Sequence, residues 1–309
     1  MRFGLLSTAR INDAVLGGAA ESSEVEIVAV ASRDGARARA YAREKGLAHA
    51  FGSYEDLLAS DAVDAVYIGL PNGLHVEWAV KALEAGKHVL VEKPFSPSVR
   101  EVERAFDVAE QRGLVLSEAF MWRFSDQTRK LVELSKEIGE VRLVRASFSF
   151  DLGPDRADDV RWDPALEGGS LMDVGCYCVS AARLLLGEPV EVRGFGVDRG
   201  GVDSRFAGIM RFESGALAAF DCGFDLPARD ELEVVGSEGW IWLDDPWHGR
   251  DPGMDVRRNG KTKHIEVASV NSYRRELEDV AAAARDGRPA TLGRDDAVGQ
   301  ARVLEALLG

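Results

Sequence analysis

The sequence predicts an α/β protein with two domains: a doubly wound parallel sheet over residues 1–120, and an α+β domain with a large, mostly antiparallel sheet over residues 121–309. Three observations support this prediction. Short apolar runs alternate with longer helical patterns in the first part of the chain. Strand-like segments separated by short turns dominate the second part. The total of 309 residues is ordinary for two domains.

The first domain alternates strands with helices. Its strongest strand is the mostly apolar run VEIVAVA, which is typical of a strand buried in a parallel sheet. This alternation predicts helices on both faces of the sheet, and ligands bind such sheets at the carboxyl ends of the strands. The predicted strands are Phe3–Leu6, Val25–Ala31, Ala65–Leu70, His88–Val91 and Leu114–Leu116, and the predicted helices are Asp13–Ala20, Ala36–Lys45, Val76–Ala85 and Val99–Arg112.

In the second domain, most predicted strands follow one another directly, without helices between them. Turns such as Ser214-Gly215 and Glu238-Gly239 connect consecutive strands, which favours antiparallel pairing. The last two helices are candidates to pack back on the first domain. The predicted strands are Val141–Phe150, Val190–Val197, Phe206–Phe212, Ala216–Asp221, Glu231–Val235 and Trp240–Leu243, and the predicted helices are Gln127–Lys136, Leu171–Leu186, Ser272–Arg285 and Asp295–Leu308.

Charge and composition exclude several classes of partner. The 52 acidic residues outnumber the 38 basic ones, giving a net charge of -14. This balance repels nucleic acid and anionic membranes, so we expect neither as a partner. Only 3 cysteines occur, too few and uneven for a disulfide framework, which favours a reducing compartment. No CxxC pair or His cluster accompanies them, which argues against a metal site. We find no signal peptide and no uninterrupted apolar run of about 18 residues, so we expect a cytoplasmic protein.

The turn after the first strand is a candidate dinucleotide site. Small residues there let the backbone approach a pyrophosphate, which rests on the following helix N-terminus. The Gly-rich pattern is degenerate, because Ser7 and Ala9 stand where glycines are usual. An ordinary strand–helix turn therefore stays open as the alternative. The candidate cofactor-binding residues are Ser7, Thr8, Ala9, Arg10 and Ile11.

The end of the second strand bears on the type of dinucleotide. An acidic residue at this place would accept hydrogen bonds from the adenosine ribose. The chain has Ser32 and Arg33 instead, and a guanidinium suits a 2'-phosphate. Asp34 follows one residue later and competes with this interpretation. We therefore predict NADP as the cofactor, with NAD possible.

Three further motifs carry a family resemblance. They are Gly69–His75 (GLPNGLH), Glu92-Lys93-Pro94 and Gly168–Tyr177 (GGSLMDVGCY). Their order and spacing resemble those of the glucose–fructose oxidoreductase/inositol dehydrogenase (Gfo/Idh/MocA) family across essentially the whole chain. The stretches EAFMWRF at Glu118–Phe124 and DVGCYC at Asp173–Cys178 resemble the branch of NADP-dependent D-xylose dehydrogenases and dimeric dihydrodiol dehydrogenases. The resemblance implies a Rossmann domain first and a substrate-binding sheet domain second.

The resemblance also implies the catalytic groups. Oxidation of an alcohol requires a base for the hydroxyl proton, and a nearby cation makes a tyrosine a better base. By resemblance Tyr177 is the acid/base and Lys93 assists it from across the cleft. Asp173 lines the substrate site, where it either orients a hydroxyl or assists Lys93. Asp173 and Tyr177 are four residues apart, which places them on one helical face. Capping of the helix is the open alternative for Asp173.

Further residues are expected around the cofactor, again by resemblance. Trp122 and Arg123 correspond to an aromatic–Arg pair beside the nicotinamide, and Arg161 with Trp162 is expected to close over the cofactor. The large sheet commonly forms the subunit interface in the family, so we expect a homodimer or homotetramer. The remaining expected cofactor contacts are Leu70, Pro71, Asn72, His75, Glu92 and Lys93.

Several functions remain open at this stage. The leading one is NADP(H)-dependent hydride transfer to or from a sugar, as in an aldose 1-dehydrogenase. A trans-dihydrodiol dehydrogenase, glucose–fructose oxidoreductase-like chemistry and a non-catalytic NADP-sensing regulator are the alternatives. Ser125-Asp126-Gln127 stands where the branch usually has His-Pro-Gln, which leaves open whether this protein takes the same substrate as the branch. The acidic loop Asp151–Asp159 is expected near the substrate mouth and argues mildly against phosphorylated sugars.

Overall fold

The computed structural model describes residues 1–250 and 252–309. The chain divides into two compact units. The first comprises Met1–Met121 and Asn271–Val298, and the second comprises Trp122–Val270 and Gly299–Gly309. Each unit is built around its own sheet.

The sheet of the first unit is parallel throughout. Its order is β3-β2-β1-β4-β5-β6, so the chain changes direction across the sheet between β1 and β4. Such a switch point is where dinucleotides bind in doubly wound folds. The strands are β1 Arg2–Leu6, β2 Glu26–Ala31, β3 His49–Phe51, β4 Ala65–Ile68, β5 His88–Glu92 and β6 Leu116–Ala119, and the helices between them are α1 Asn12–Ala20, α2 Gly35–Lys45, α3 Tyr54–Leu58, α4 His75–Glu84 and α5 Val99–Arg112.

Strand β6 lies later than the sequence predicts. The apolar run Leu114–Leu116 suggested the strand, but pairing with β5 extends to Ala119. The reason is that two polar strand residues find buried partners. Ser117 Oγ donates to the carbonyl of Leu292 at 3.1 Å, and Glu118 Oε1 accepts from the backbone N–H of Phe95 at 2.9 Å.

The second unit contains an eight-stranded sheet in the order β14-β13-β12-β11-β7-β10-β9-β8. All neighbours are antiparallel except β7 and β10, which are parallel. The strands are β7 Val141–Asp151, β8 Pro189–Asp198, β9 Asp203–Phe212, β10 Leu217–Gly223, β11 Asp225–Gly236, β12 Gly239–Asp244, β13 Gly253–Arg258 and β14 Lys261–Glu266, and the helices are α6 Asp126–Ser135 and α7 Cys176–Leu186.

One face of this sheet is covered and the other is open. Along β9 every second residue is buried, which is the signature of a sheet with one packed face. Helix α7 packs against β7 and β10 on the covered face. The open face carries apolar side chains: Phe195 is 86% exposed and Ile209 is 59% exposed.

Two helices follow the second sheet: α8 Ser272–Asp286 and α9 Arg294–Leu308. Helix α8 belongs to the first unit and packs on α1 and β5. Its apolar residues Leu277 and Val280 are fully buried in the same core as Leu5 and Leu90. Each buried side chain of this size contributes roughly 1.5–3 kcal/mol to folding.

One helical segment among the described residues, Pro164–Leu186, is long and apolar enough to cross a membrane by length and composition alone. Its most apolar window has a mean hydropathy of 1.2, and 72% of that window is buried inside the protein. A buried core helix has the same composition, because it also contacts apolar groups on all sides.

Candidate functional site

The turn after β1 is held by side chains. Ser7 has φ 135°, a conformation that favours glycine. Its hydroxyl donates to the carbonyl of Gly69 at 2.8 Å and accepts from the backbone N–H of Ala9 at 3.2 Å. The fully buried Asn12 donates from Nδ2 to the carbonyl of Ser7 at 2.9 Å. Asn12 was missed as a site residue, because a single polar residue at the start of a helix has no sequence pattern that reveals its partner.

This turn has the features a pyrophosphate requires. Side chains remain small from Ser7 to Ala9, and helix α1 begins directly afterwards with its N–H groups toward the turn. Across the turn, a Cβ on Gly69 would lie 3.3 Å from Asn12 Oδ1, so a larger residue would crowd the turn. Thr8 and Ile11 are half-buried, and Arg10 is exposed.

Arg33 and Asp34 at the end of β2 have different partners. Asp34 caps helix α2, because Oδ1 accepts from the backbone N–H of Ala36 at 2.8 Å and of Arg37 at 3.2 Å. These bonds hold the pKa of Asp34 below its usual value. The exposed Arg33 lies beside Tyr54 on α3, and the Ser32 side chain is buried. An acid committed to a helix cap leaves the guanidinium as the group suited to a 2'-phosphate.

His75 joins the loops that follow β4 and β5. The ring is fully buried, with Nδ1 2.8 Å from the carbonyl oxygen of Pro94 and Nε2 2.7 Å from that of Leu70. Burial lowers the pKa of His75 to about 4. Its predicted contact with a cofactor stays a prediction, as do those of Pro71 and Asn72, which are half-buried at the end of β4.

Glu92 and Lys93 lie at the carboxyl end of β5. The hydroxyl of Tyr67, a neighbour on β4, donates to Glu92 Oε1, and the backbone N–H of Lys93 donates to Glu92 Oε2 at 3.2 Å. Burial and the Glu92 carboxylate raise the pKa of Tyr67 well above its usual value. The Glu92 side chain is therefore fixed at the edge of the sheet where ligands bind in this type of fold.

In the second unit, two glycines allow tight packing ahead of α7. A Cβ on Gly168 would lie 2.4 Å from the carbonyl oxygen of Arg161, and one on Gly169 would lie 2.4 Å from Asp203 Oδ1. Gly169 also has φ +107°. The motif thus requires glycine at both places for steric reasons.

Asp203 on β9 caps the helical segment that follows these glycines. Its carboxylate accepts from the hydroxyl of Ser170, and Oδ2 accepts from the backbone N–H of Leu171 at 2.9 Å. The segment starts with a π-helical turn, Leu171–Gly175, and continues as α7. π turns recur at functional sites. Asp203 was missed because the strand that carries it is more than thirty residues away.

Asp173 lies in the π turn and is not the cap. Its Oδ2 accepts from Arg161 Nε at 2.6 Å, and Arg161 Nη1 also donates to Asp159 Oδ1 at 3.1 Å. The Asp173 carboxylate, and to a smaller extent that of Asp159, raises the pKa of Arg161 above its usual value. Arg161, predicted as a cofactor residue, is thus bound to the predicted substrate residue.

Tyr177 projects from the first turn of α7 into an aromatic cluster. Its ring centroid is 5.2 Å from that of Phe148 and 5.8 Å from that of Trp247. Trp247 is buried and donates from Nε1 to the carbonyl of Ser147 at 3.0 Å. The Tyr177 ring itself is only half-buried. Phe148 and Trp247 support this phenol, and neither was predicted as a site residue.

Of the other predicted residues of the second unit, Trp122 and Arg123 lie together, with the Arg123 guanidinium 5.9 Å from the centroid of the Trp122 ring, and Trp162 lies apart from them. Trp122 is buried and packs edge-on against Trp247 at 5.5 Å. Arg123 Nη1 donates to Ser180 Oγ on α7 at 3.3 Å. Trp162 lies edge-on to Phe224, and the guanidinium of Arg199 covers its ring at 3.8 Å.

Among the described residues, Asp230, Asp245 and His248 lie close enough together to act as metal ligands. The guanidinium of Arg250 donates to Asp230 at 3.0 Å and to Asp245 at 3.2 Å, so a side-chain cation already binds both acids. Cys176, Cys178 and Cys222 are buried thiols.

Comparison with known proteins agrees with this arrangement. Residues 1–120 match the family model "Oxidoreductase family, NAD-binding Rossmann fold", and residues 126–242 match "GFO/IDH/MocA C-terminal domain". The chain is 43% identical to D-xylose 1-dehydrogenase (NADP(+)) 2 of Haloferax volcanii over 99% of this chain and 96% of that protein. It is 32% identical to the trans-1,2-dihydrobenzene-1,2-diol dehydrogenase of Mus musculus over 80% of this chain and 75% of that protein.

A solved structure gives the same result. The 3-ketoreductase KijD10 of Actinomadura kijaniata, in complex with NADP and TDP-benzene, superimposes with a TM-score of 0.92 at 30% identity, over 99% of this chain and 96% of that one. The predicted fold class, a Rossmann sheet followed by a mostly antiparallel sheet, is confirmed. The chain belongs to the Gfo/Idh/MocA family of oxidoreductases.

Proposed function

We propose that this NADP-dependent oxidoreductase oxidises an aldose at its anomeric hydroxyl, with D-xylose as the first candidate substrate. The observation that carries the proposal is the pair formed by Tyr177 and Asp173, in which a half-buried phenol and a carboxylate held by Arg161 lie within one stretch of helix. The 43% identical relative named as a D-xylose 1-dehydrogenase supports the choice of sugar.

Tyr177 exchanges the hydroxyl proton of the sugar in this proposal. An isolated tyrosine is a poor base near neutral pH, because its ordinary pKa is about 10. In this proposal the Lys93 ammonium stabilises the phenolate and so lowers the pKa of the Tyr177 phenol. Phe148 and Trp247 fix the orientation of the phenol through ring contacts, so less reorganisation is needed during proton transfer.

Asp173 orients the substrate. Its charge is maintained by the Arg161 guanidinium, so it accepts hydrogen bonds from sugar hydroxyls and does not need to carry the proton itself. The acid/base role therefore falls to the tyrosine, and the carboxylate sets which hydroxyl faces it.

The residues around the parallel sheet fit NADP. The Ser7–Ala9 turn and the α1 N-terminus suit the pyrophosphate, and Arg33 suits the 2'-phosphate. When bound, the nicotinamide supplies the hydride acceptor. The chain's own task is to bind it, orient the sugar and move the proton.

The experiment is an NADPH absorbance assay with aldoses, inositols and a trans-dihydrodiol. We expect turnover with NADP⁺ and an aldose, and a preference for the diol would replace the aldose proposal. Tyr177→Phe and Lys93→Met should each reduce kcat by about 100-fold or more, since general acid–base catalysis contributes 10²–10⁴-fold. Lys136→Met, at an exposed lysine, is the matched control.

A double-mutant cycle tests whether the two residues act together. If Tyr177 and Lys93 act as one unit, the double variant loses little more than either single variant. Multiplicative losses would mean that they act independently, and the proposed assistance by Lys93 would then be wrong.

The open sheet face suits a second copy of this chain. A groove of about 600 Å³ crosses it, and Phe195 and Ile209 are among the residues that line it. Exposed apolar patches of this kind mark association surfaces. A homodimer should appear in light scattering, Phe195→Glu with Ile209→Glu should yield monomers, and Val160→Glu, at an exposed valine elsewhere, should not. The cytoplasmic location stays a prediction.

A further inference from the structure

Glu276 on α8 is an unusual buried acid. It is 1% exposed, and neither carboxyl oxygen has a hydrogen-bond partner among the described residues. An ionised carboxylate without a partner is very costly inside a protein, so such a group keeps its proton instead. Burial, together with the nearby Glu92, raises the pKa of Glu276 well above its usual value.

Glu276 belongs to a cluster at the carboxyl end of β5. The groups that face it are Glu92 on β5, Tyr67 on β4 and Tyr273 on its own helix. Glu92 is held by the Tyr67 hydroxyl and by the backbone N–H of Lys93. Glu276 acts electrostatically on both tyrosines, and Lys93 acts on Tyr273 with the opposite sign. Both acids and Lys93 therefore share one electrostatic environment.

A leucine would fill the same space at lower cost, so the acid requires another explanation. A neutral carboxyl differs from leucine in that it can release a proton when positive charge approaches. Oxidised and reduced NADP differ by one positive charge on the nicotinamide. In a doubly wound fold the cofactor binds at the strand ends, where Glu92 lies.

We propose that Glu276 is a proton reservoir whose proton is released when oxidised NADP binds, and that Glu92 transmits the effect between the cofactor and Glu276. The inference rests on the proposed function in that it requires NADP at this edge of the sheet. It makes Glu276 a positioning residue that acts through Glu92. Binding of NADP⁺ should therefore release more protons than binding of NADPH, and NADP⁺ affinity should rise with pH relative to NADPH affinity.

Calorimetry measures this linkage without turnover. NADP⁺ and NADPH are each titrated into the intact protein near pH 8, in buffers with different heats of ionisation, and the slope gives the protons exchanged. We expect a larger release with NADP⁺ in the wild type, and little difference between the two cofactors in Glu276→Gln. The control is Glu278→Gln, two residues along α8 at a partly exposed acid paired with Arg274, which should behave as the wild type.

Infrared spectroscopy tests the starting state. The wild type and Glu278→Gln should show a protonated carboxyl band near neutral pH that Glu276→Gln lacks. Equal proton release with both cofactors in the wild type would overturn the proposal, even if the variant fails to fold. So would a Glu276→Gln protein that keeps the wild-type difference. If NADP⁺ does not bind the wild type at all, the proposed function fails as well, whereas binding without linkage rejects only the reservoir.

Discussion

Arg161 Nε donates to Asp173 Oδ2 at 2.6 Å, and this bond defines what Asp173 can do. A carboxylate that receives a guanidinium hydrogen bond stays ionised and keeps one orientation. The same Arg161 is anchored by Asp159, so three side chains from two segments fix the geometry. Asp203 accepts the hydrogen bond from the backbone N–H of Leu171, so the cap of this helical segment is Asp203 and not Asp173.

Replacing Arg161 by glutamine should lower kcat/KM for the sugar and leave the KM for the cofactor almost unchanged. Loss of a charge-assisted bond is worth about 1.5–3 kcal/mol, so kcat/KM for the sugar should fall by roughly 10- to 100-fold. The KM for NADP⁺ should stay nearly constant. Steady-state kinetics with each substrate varied will measure the split, with Arg156→Gln in the same loop as control. A selective rise in the NADP⁺ KM would instead support the cofactor role predicted for Arg161.

Arg33→Ala should change cofactor preference. The 2'-phosphate loses a paired donor, so NADP⁺ affinity should fall by about 10- to 100-fold while NAD⁺ affinity is unchanged. Fluorescence titration with both cofactors measures the ratio. Asp34→Asn is informative beside it, because asparagine is an equally good N-cap. We expect it to keep helix α2 and the NADP preference, and a lost preference would show that Asp34 contributes directly.

Much of the fold follows from the sequence because its elements are long and strongly patterned. Five of the six strands of the parallel sheet and the main helices were predicted, with boundaries that shift by a few residues. Strand β3 and helix α3 were missed because three and five residues carry no measurable period. Strands β13 and β14 were missed because charged residues dominate them, as is common at the edge of a sheet.

In the candidate site, too, some residues were predicted from the sequence and others were missed. Motif residues such as Lys93, Asp173 and Tyr177 were found from their resemblance to a family pattern. Their supports were not. Asp203 bonds to a residue more than thirty positions away, Asn12 bonds to Ser7 only five positions away, and a lone polar residue has no pattern that reveals either partner. The preferred cofactor was predictable, yet the sequence alone does not show that Asp34 accepts hydrogen bonds from the start of helix α2.

Ser7 offers a paired test of strain against hydrogen bonding. Ser7→Ala keeps the unfavourable φ and removes the bonds to Gly69 and Ala9, so it should cost about 1–2 kcal/mol of unfolding free energy and weaken NADP⁺ binding. Ser7→Gly loses the same bonds but relieves strain worth about 1 kcal/mol, so its stability should stay near the wild type. Urea unfolding compares the two. Equal losses would mean that the turn carries no strain.

His75 makes stability depend on pH. Two carbonyl oxygens face its ring nitrogens, and a neutral imidazole can donate to only one of them. The carbonyls favour the charged ring, but burial opposes it and is the larger effect, which lowers the pKa to about 4. In the unfolded chain the pKa returns to about 6.5, so the unfolded state binds a proton more readily than the native state.

The stability that His75 contributes is therefore complete above pH 6.5 and is lost as the pH falls from 6.5 to 4. The loss amounts to about 3 kcal/mol over this range. His75→Gln cannot titrate, so it should be less stable than the wild type at pH 7, and the gap should narrow toward pH 4. Thermal unfolding at several pH values measures this, with His49→Gln at an exposed residue as control. A gap that does not change with pH would mean that folding does not lower the pKa of His75.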